Sequence, residues 1–360
     1  MNAPGVPAPL PDRPPTDAPS HPHPYPQPGA SAGALDGATL PASARLGLDF
    51  DPDRLARDLD ALSGTTWALQ NTYSSDGTVA SAAIDWRVLP LRNVGGDPRR
   101  TDPGGPGLVD FADTPWLGRA PYLAEVLAAV PAPLRAARLM ALGPGALGPD
   151  HFDTKQGLAW GFARLHVPVS TTPEARLYLD GAQHHWQPGS FWYGDFSRTH
   201  RVENPGTGRR VHLVVDVMPT KELLGLFATS AGASIDPAKV PLARDPVPLS
   251  AREAARCAVT FELPESFADL EEPEGGFLRP QPSLAARIDV GDGATPSPVL
   301  TLDGEPTFGL VHVGDLEFRF TAWTEERTIQ ITGIGDGVRV VLRSRVQDRE
   351  CRAELPAERV

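Results

Sequence analysis

Alternation of apolar and polar positions dominates the middle of the chain. In "RRVHLVVDV", Val211, Leu213, Val215 and Val217 fall on one side of an extended strand, and Arg210, His212 and Asp216 fall on the other. "ARLHVPV" repeats the pattern, with Leu165, Val167 and Val169 opposite Arg164 and His166. From 158 to 217, the runs "AWGFARLHVPV", "ARLYLDG", "AQHHWQPGS", "FWYGDF", "HRVENPGTG" and "RRVHLVVDV" read as strands separated by turn residues. Short strands at this spacing predict a jelly roll or β-sandwich.

Helical spacing appears only at the flanks. A strand over Leu46 to Phe50 leads to Asp51 as a cap and Pro52 at the first helical position. Leu55, Leu59 and Leu62 follow at helical intervals. "AAIDWRVLPLRN" reads as a strand, a Gly/Pro-rich loop covers about 94 to 107, Tyr122 to Val130 reads as a helix, and "RAARLMALGPG" is a strand entering a turn. "TKELLGLFATS" reads as a helix leaving the core. Beyond residue 250, "LAARIDV", "SPVLTLDG", "EFRFTAWT", "TIQITGIGDG" and "VRVVLRSRV" predict a small β-rich C-terminal domain with no catalytic constellation of its own. The expected organisation is a leader over 1–43, a main domain over 44–230 and a C-terminal β domain over 250–360. The fold class is mainly β with flanking helices: a double-stranded β-helix (jelly roll, cupin-like) core plus the smaller β-rich domain.

Composition changes this picture at one end. Residues 1–43 are rich in proline, alanine and small polar residues, with no apolar periodicity. Such a segment buries too little surface to offset its ordering entropy and is expected to be disordered. His21 and His23 in "HPHPYP" read as part of an exposed tail. The formal net charge of −12 argues against nucleic acid or an acidic membrane surface as the main partner. Cys257 and Cys351 stand in no paired motif, so plain thiols are expected rather than a disulfide or a cysteine metal site. No apolar run of about 18 residues is present, and the N-terminus lacks the pattern of a signal peptide; a cytoplasmic location is expected.

The candidate chemistry starts at "HFD". On an extended segment His151 and Asp153 point to one side. His200, in "DFSRTHRVEN", follows later after a strand and a turn. Two histidines and a carboxylate on three corners of a metal make the facial triad of non-haem Fe(II) oxygenases, with open positions for chemistry. Singly, each residue has an ordinary reading: a surface histidine, a helix cap, a loop histidine. The polar strand faces admit two readings as well. One is a solvated side of a half-exposed sheet. The other is an inward face lined for a dicarboxylate, since arginine's planar fork suits carboxylates.

Together "PGALGPDHFD", "ARLHVPVSTTPEARLYLDG", "WQPGSFWYGDFSRTHRVEN" and "RRVHLVVDV" resemble the aspartyl/asparaginyl β-hydroxylase family of 2-oxoglutarate oxygenases, over roughly 138 to 218. "WRVLPLRN" and "DTPWLGRAPYLAEVL" look more like the bacterial proline cis-hydroxylase branch and extend the likeness to about 46 to 225. The resemblance implies His151, Asp153 and His200 as ligands of Fe(II), the carboxylate being a mark of the proline branch. It implies Arg210 as the holder of the distal carboxylate of 2-oxoglutarate, and Arg164 and His166 as residues lining the co-substrate pocket. Arg92 and Asn93 are candidates for a substrate carboxylate. Trp192 reads as core, and Asp195 as either a turn acceptor or a carboxylate that orients His200. Met140 stands where animal aspartyl hydroxylases carry a co-substrate serine.

The implied activity is hydroxylation of an amino acid, free and proline-like, with O2 consumed and succinate and CO2 released. One alternative substrate is an Asp, Asn or Pro residue in a peptide or carrier-bound intermediate. Outside the class stand a non-catalytic cupin-like module that binds a small acid, and a cupin-like metal enzyme that does not use 2-oxoglutarate.

Overall fold

A computed structural model describes residues 40–73, 79–81, 84–231, 235–290, 297–333 and 337–360. The proline-rich leader, with His21 and His23, falls largely on residues 1–39, outside the described residues. Leu40 is buried, Arg198 donates to its carbonyl, and the Asp195 N–H donates to the Ala42 carbonyl. The first strand, Ser43–Asp49, then pairs with Ser190–Gly194.

Two antiparallel sheets form the jelly roll. The larger runs in the order Ser43–Asp49, Ser190–Gly194, Ala163–Ser170, Arg210–Val217, Leu134–Leu142, Trp86–Val94 and Ala68–Leu69, with Phe111–Asp113 paired to Trp86–Val94. The smaller runs Ala182–His184, Arg176–Leu179, His200–Asn204 and Ala146–Leu147. Helices Pro52–Ala61, Pro121–Ala128 and Lys221–Ala231 supply side chains to the core on one side of the larger sheet. The first begins as its sequence suggests: the Asp51 side chain accepts from the N–H groups of Asp53 and Arg54, and Pro52 needs no donor there. Leu55, Leu123, Leu127, Leu223 and Phe227 meet Leu139, Leu165, Val167, Leu213 and Val215 in one continuous core. Each fully buried leucine there contributes about 1.5–3 kcal/mol.

The alternation that fills this core also decides the other face. All eight residues of Arg210–Val217 are buried, as are the first seven of Ala163–Ser170. The reading of a solvated polar face is therefore overturned, because the smaller sheet covers it. Register aligns Trp192, His166, Val214 and Arg138 in one row across the sheet, and His212 opposite Met140 in the next.

The C-terminal part closes into a barrel of eight strands between Val259–Pro264 and Arg349–Arg359. Its interior is filled by Phe261, Phe267, Phe308, Phe318 and Phe320 with aliphatic partners. Three strands were not anticipated: Val259–Pro264, Glu305–His312 and Arg349–Arg359. The last alternates charged with half-buried positions and carries no apolar run, so its sequence looks like a polar tail.

Candidate metal centre and anion pocket

His151 and His200 face each other across an isolated antiparallel bridge. The His151 N–H donates to the His200 carbonyl at 3.0 Å, and the His200 N–H returns the bond at 2.8 Å. Their ring centroids lie 4.1 Å apart. Asp153 is tied by its own N–H to the Phe196 carbonyl at 2.8 Å. One ligand atom from each of His151, Asp153 and His200 falls within 4.8 Å of the others.

The imidazoles are prepared alike. His151 Nδ1 donates to the Pro149 carbonyl at 3.0 Å, and His200 Nδ1 donates to the Arg198 carbonyl at 2.9 Å. A carbonyl only accepts, so the proton sits on Nδ1 in both rings and Nε2 keeps its lone pair. Burial pushes the His200 pKa down to about 4, which keeps the ring neutral at physiological pH. Burial pushes Asp153 upward, but Arg164 and the two histidines outweigh it and hold the carboxyl below the usual range. Two imidazole nitrogens with one carboxylate are a donor set that fits a divalent transition metal.

Close packing fixes the segment that carries Asp153. A Cβ at Gly157 would stand 2.4 Å from Asp195 Oδ1. Asp195 is a turn acceptor: it takes bonds from the Ser197 hydroxyl and N–H and from Arg198 Nε, and its link to His200 runs only through the Arg198 carbonyl. Trp192 is half-buried and stacks on Trp186 with centroids 5.1 Å apart.

Arg164 is held between two carboxylates. Its Nη1 donates to Asp153 Oδ2 at 2.5 Å, and Nε and Nη2 donate to Asp216 at 2.7 and 3.1 Å. Two carboxylates satisfy it, so it orients Asp153 rather than facing a ligand. Arg92 and Asn93 are also engaged elsewhere. Arg92 binds Asp113 and the Phe111 carbonyl, and Asn93 donates to the carbonyls of Asp97 and Arg100. These bonds shape the loop between two strands, while Arg92 Nε and Asn93 Oδ1 are buried without a hydrogen-bond partner among the described residues.

Arg210 is the contrast. It is buried, and among the described residues its only hydrogen bond goes from Nη2 to His212 Nδ1 at 3.0 Å. Burial without a neighbouring acid pulls its pKa down to about 9. His212 Nδ1 must accept, since a guanidinium only donates. His166 Nδ1 lies 3.3 Å from that same atom, and His166 Nε2 has no hydrogen-bond partner among the described residues. Burial and then Arg210 hold both histidines neutral. A narrow cleft is lined by Arg210, His212, Trp186 and His184, among others. His212 meets His166 edge-on at 5.5 Å, His166 stacks on Phe196 at 5.0 Å, and Phe196 meets His200 edge-on at 4.7 Å, so a chain of ring contacts links the cleft wall to the ligand cluster. Trp186 was missed by sequence reasoning. "AQHHWQPGS" looks like a surface hairpin, yet Trp186 is buried and its Nε1 has no hydrogen-bond partner among the described residues.

A jelly roll with a two-histidine, one-carboxylate cluster on its covered face defines a metal-binding class of protein. Residues 51–219 match the model of the family described as Aspartyl/Asparaginyl beta-hydroxylase. No curated protein matches the chain. Among solved structures, an oxidoreductase of the 2OG-Fe(II) oxygenase family from Burkholderia pseudomallei is 13% identical; the match covers 47% of this chain and 80% of that one, with a TM-score of 0.30. A prolyl-4-hydroxylase from Pseudomonas putida is 14% identical over 51% of this chain and 96% of its own, with a TM-score of 0.29. HygX from Streptomyces hygroscopicus, solved with nickel and 2-oxoglutarate, is 10% identical over 51% and 85%, with a TM-score of 0.32. The family match and the local geometry carry the argument, not these distant likenesses.

Proposed function

We propose that the chain is an Fe(II)- and 2-oxoglutarate-dependent dioxygenase that hydroxylates a free, proline-like amino acid. The observation that carries the reading is Arg210: a buried guanidinium without a carboxylate, on the face of the larger sheet that also bears Arg164, the partner of Asp153 in the His151, Asp153 and His200 cluster. A buried cation left without an internal counter-charge is costly unless a ligand supplies one. The distal carboxylate of an oxoacid is such a charge, and arginine's fork suits it.

His151, Asp153 and His200 would hold the iron, with Arg164 steering Asp153 toward it. When bound, Fe(II) supplies the activation of O2 that a closed-shell organic substrate lacks. The protein's own work is binding and exclusion. Arg210 anchors the oxoacid, with the neutral His212 fixing its guanidinium. Met140, Val88 and Val214 form an apolar patch beside these groups, with Trp86 packed against it. Three guanidiniums (Arg138, Arg164, Arg210) share this face with two carboxylates (Asp153, Asp216), an excess of positive charge that suits carboxylate-bearing reactants. An apolar patch within a cationic surround suits a small ring compound bearing a carboxylate.

The test is succinate formation from 2-oxoglutarate with Fe(II) under air, across a panel of free amino acids and peptides, with mass detection of one added oxygen. A hydroxylated free amino acid supports the reading. Succinate with only a peptide hydroxylated moves the substrate to a peptide residue. No succinate and no metal uptake favours a module that binds small acids without turning them over.

A further inference from the structure

The metal-bearing segment does not stand on the jelly roll alone. After Asp153 the chain turns through Thr154 and Lys155, and Lys155 adopts a left-handed conformation with φ of 58°. L residues other than glycine hold that region only when their surroundings demand it. Here the demand comes from the C-terminal barrel. Lys155 Nζ donates to Glu326 Oε1 at 3.0 Å, with side chains only 7% and 2% exposed. Glu326 lies in the turn between the barrel strands Glu317–Phe320 and Arg327–Thr332. It also accepts from Trp323 Nε1 at 3.0 Å and Arg327 Nη2 at 3.4 Å.

The same turn holds the segment once more: Thr324 donates from its hydroxyl to the Trp160 carbonyl at 2.8 Å. Trp323 also lies against the buried Arg135 guanidinium of strand Leu134–Leu142, 5.5 Å from ring centroid to Cζ. A second barrel turn contributes the Gln347 N–H, which donates to the Ala159 carbonyl at 2.7 Å.

We infer that the barrel is a positioning element of the metal centre, and that the Lys155–Glu326 pair sets the path of the segment that presents Asp153. A buried ammonium needs its counter-charge, so the segment keeps this path only while the barrel turn is in place. The inference rests on the proposed metal reading and gives the barrel a role in it. It treats Lys155 and Glu326 as positioning residues that act through Asp153.

The test uses the full chain, with Glu326→Gln, Lys155→Met and Lys155→Arg. Co(II) alone is the metal probe, and amide hydrogen exchange of the metal-free protein is the second readout. The expected result is a loss of Co(II) affinity of about tenfold or more in Glu326→Gln and Lys155→Met, faster exchange over 150–160, and unchanged exchange over 283–302. Lys155→Arg should restore Co(II) affinity to near the wild-type value. If Lys155→Met does not fold, Glu326→Gln and Glu326→Asp carry the comparison. Unchanged Co(II) affinity together with unchanged exchange in Glu326→Gln would overturn the inference. If the wild-type chain binds no Co(II), or binds it equally after His200→Ala, the metal reading itself fails; the exchange comparison then still decides whether the pair holds the segment.

Discussion

The chain buries charge in two places and handles it in opposite ways. In the barrel, buried charges meet partners. Glu317 accepts from Arg244, Arg345 and Thr328, and these outweigh the upward push of burial to hold its carboxyl well below the usual range. Glu325 pairs with Arg244 and Arg319, and Arg327 with Glu272 and Glu326. On the covered face of the jelly roll the pairing is incomplete. Asp216 serves both Arg138 and Arg164, while Arg210 has only a neutral imidazole. Buried charge that closes on itself is architecture. Buried charge left open points to the charge of a ligand.

The comparison breaks most visibly at Asp216. Asp216→Asn leaves Arg138 and Arg164 short of a counter-charge inside the fold, and should cost about 3–5 kcal/mol in chemical denaturation. A loss under about 1 kcal/mol would mean that these arginines are not held as described.

Arg210→Met sharpens the contrast from the other side. It should raise the 2-oxoglutarate requirement by about 2–3 kcal/mol of lost charge-assisted bonding, on the order of 30- to 150-fold, measured as the concentration for half-maximal succinate formation. An unchanged requirement would remove Arg210 from the anion pocket.

Acid should expose the same asymmetry. His166 and His212 are held below their usual pKa by burial and then by Arg210. The unfolded chain therefore binds more protons than the native chain below about pH 6.5, so stability falls as pH falls through that value. The slope should reach about 1.4 kcal/mol per pH unit for each histidine. Denaturation midpoints that stay flat between pH 6.5 and 5 would contradict the neutral pair.

The smallest effect separates the two regions most cleanly. Arg210→Met removes an open buried charge rather than half of a pair, so the ligand-free protein should keep or gain about 1 kcal/mol of stability. A clear loss would mean that Arg210 is architectural after all.

Much of the jelly roll was legible because period-two alternation is a direct imprint of two differently covered faces. Leu213 and Val215 announced the core, and Arg210 and His212 announced the opposite face. Whether that face met water or a second sheet was not legible, because alternation looks the same in both cases. His151, Asp153 and His200 could be nominated from their residue types, but the bridge that sets the two histidines opposite each other is a long-range pairing. The pairing of Arg164 with Asp216 was not legible because Asp216 lies on the neighbouring strand, 52 positions away in the chain. Trp186 was hidden by a surface-like hairpin sequence. The Lys155–Glu326 pair joins positions 171 apart, and no local pattern foretells it.

Equilibrium binding of Fe(II) without oxygen tests the central claim most directly, with and without 2-oxoglutarate, in the wild-type chain, His200→Ala and Arg210→Met. The account predicts one Fe(II) per wild-type chain, loss of binding in His200→Ala, and tightening by 2-oxoglutarate in the wild type but not in Arg210→Met. Equal Fe(II) binding by His200→Ala and the wild type, or no binding by either, would contradict it.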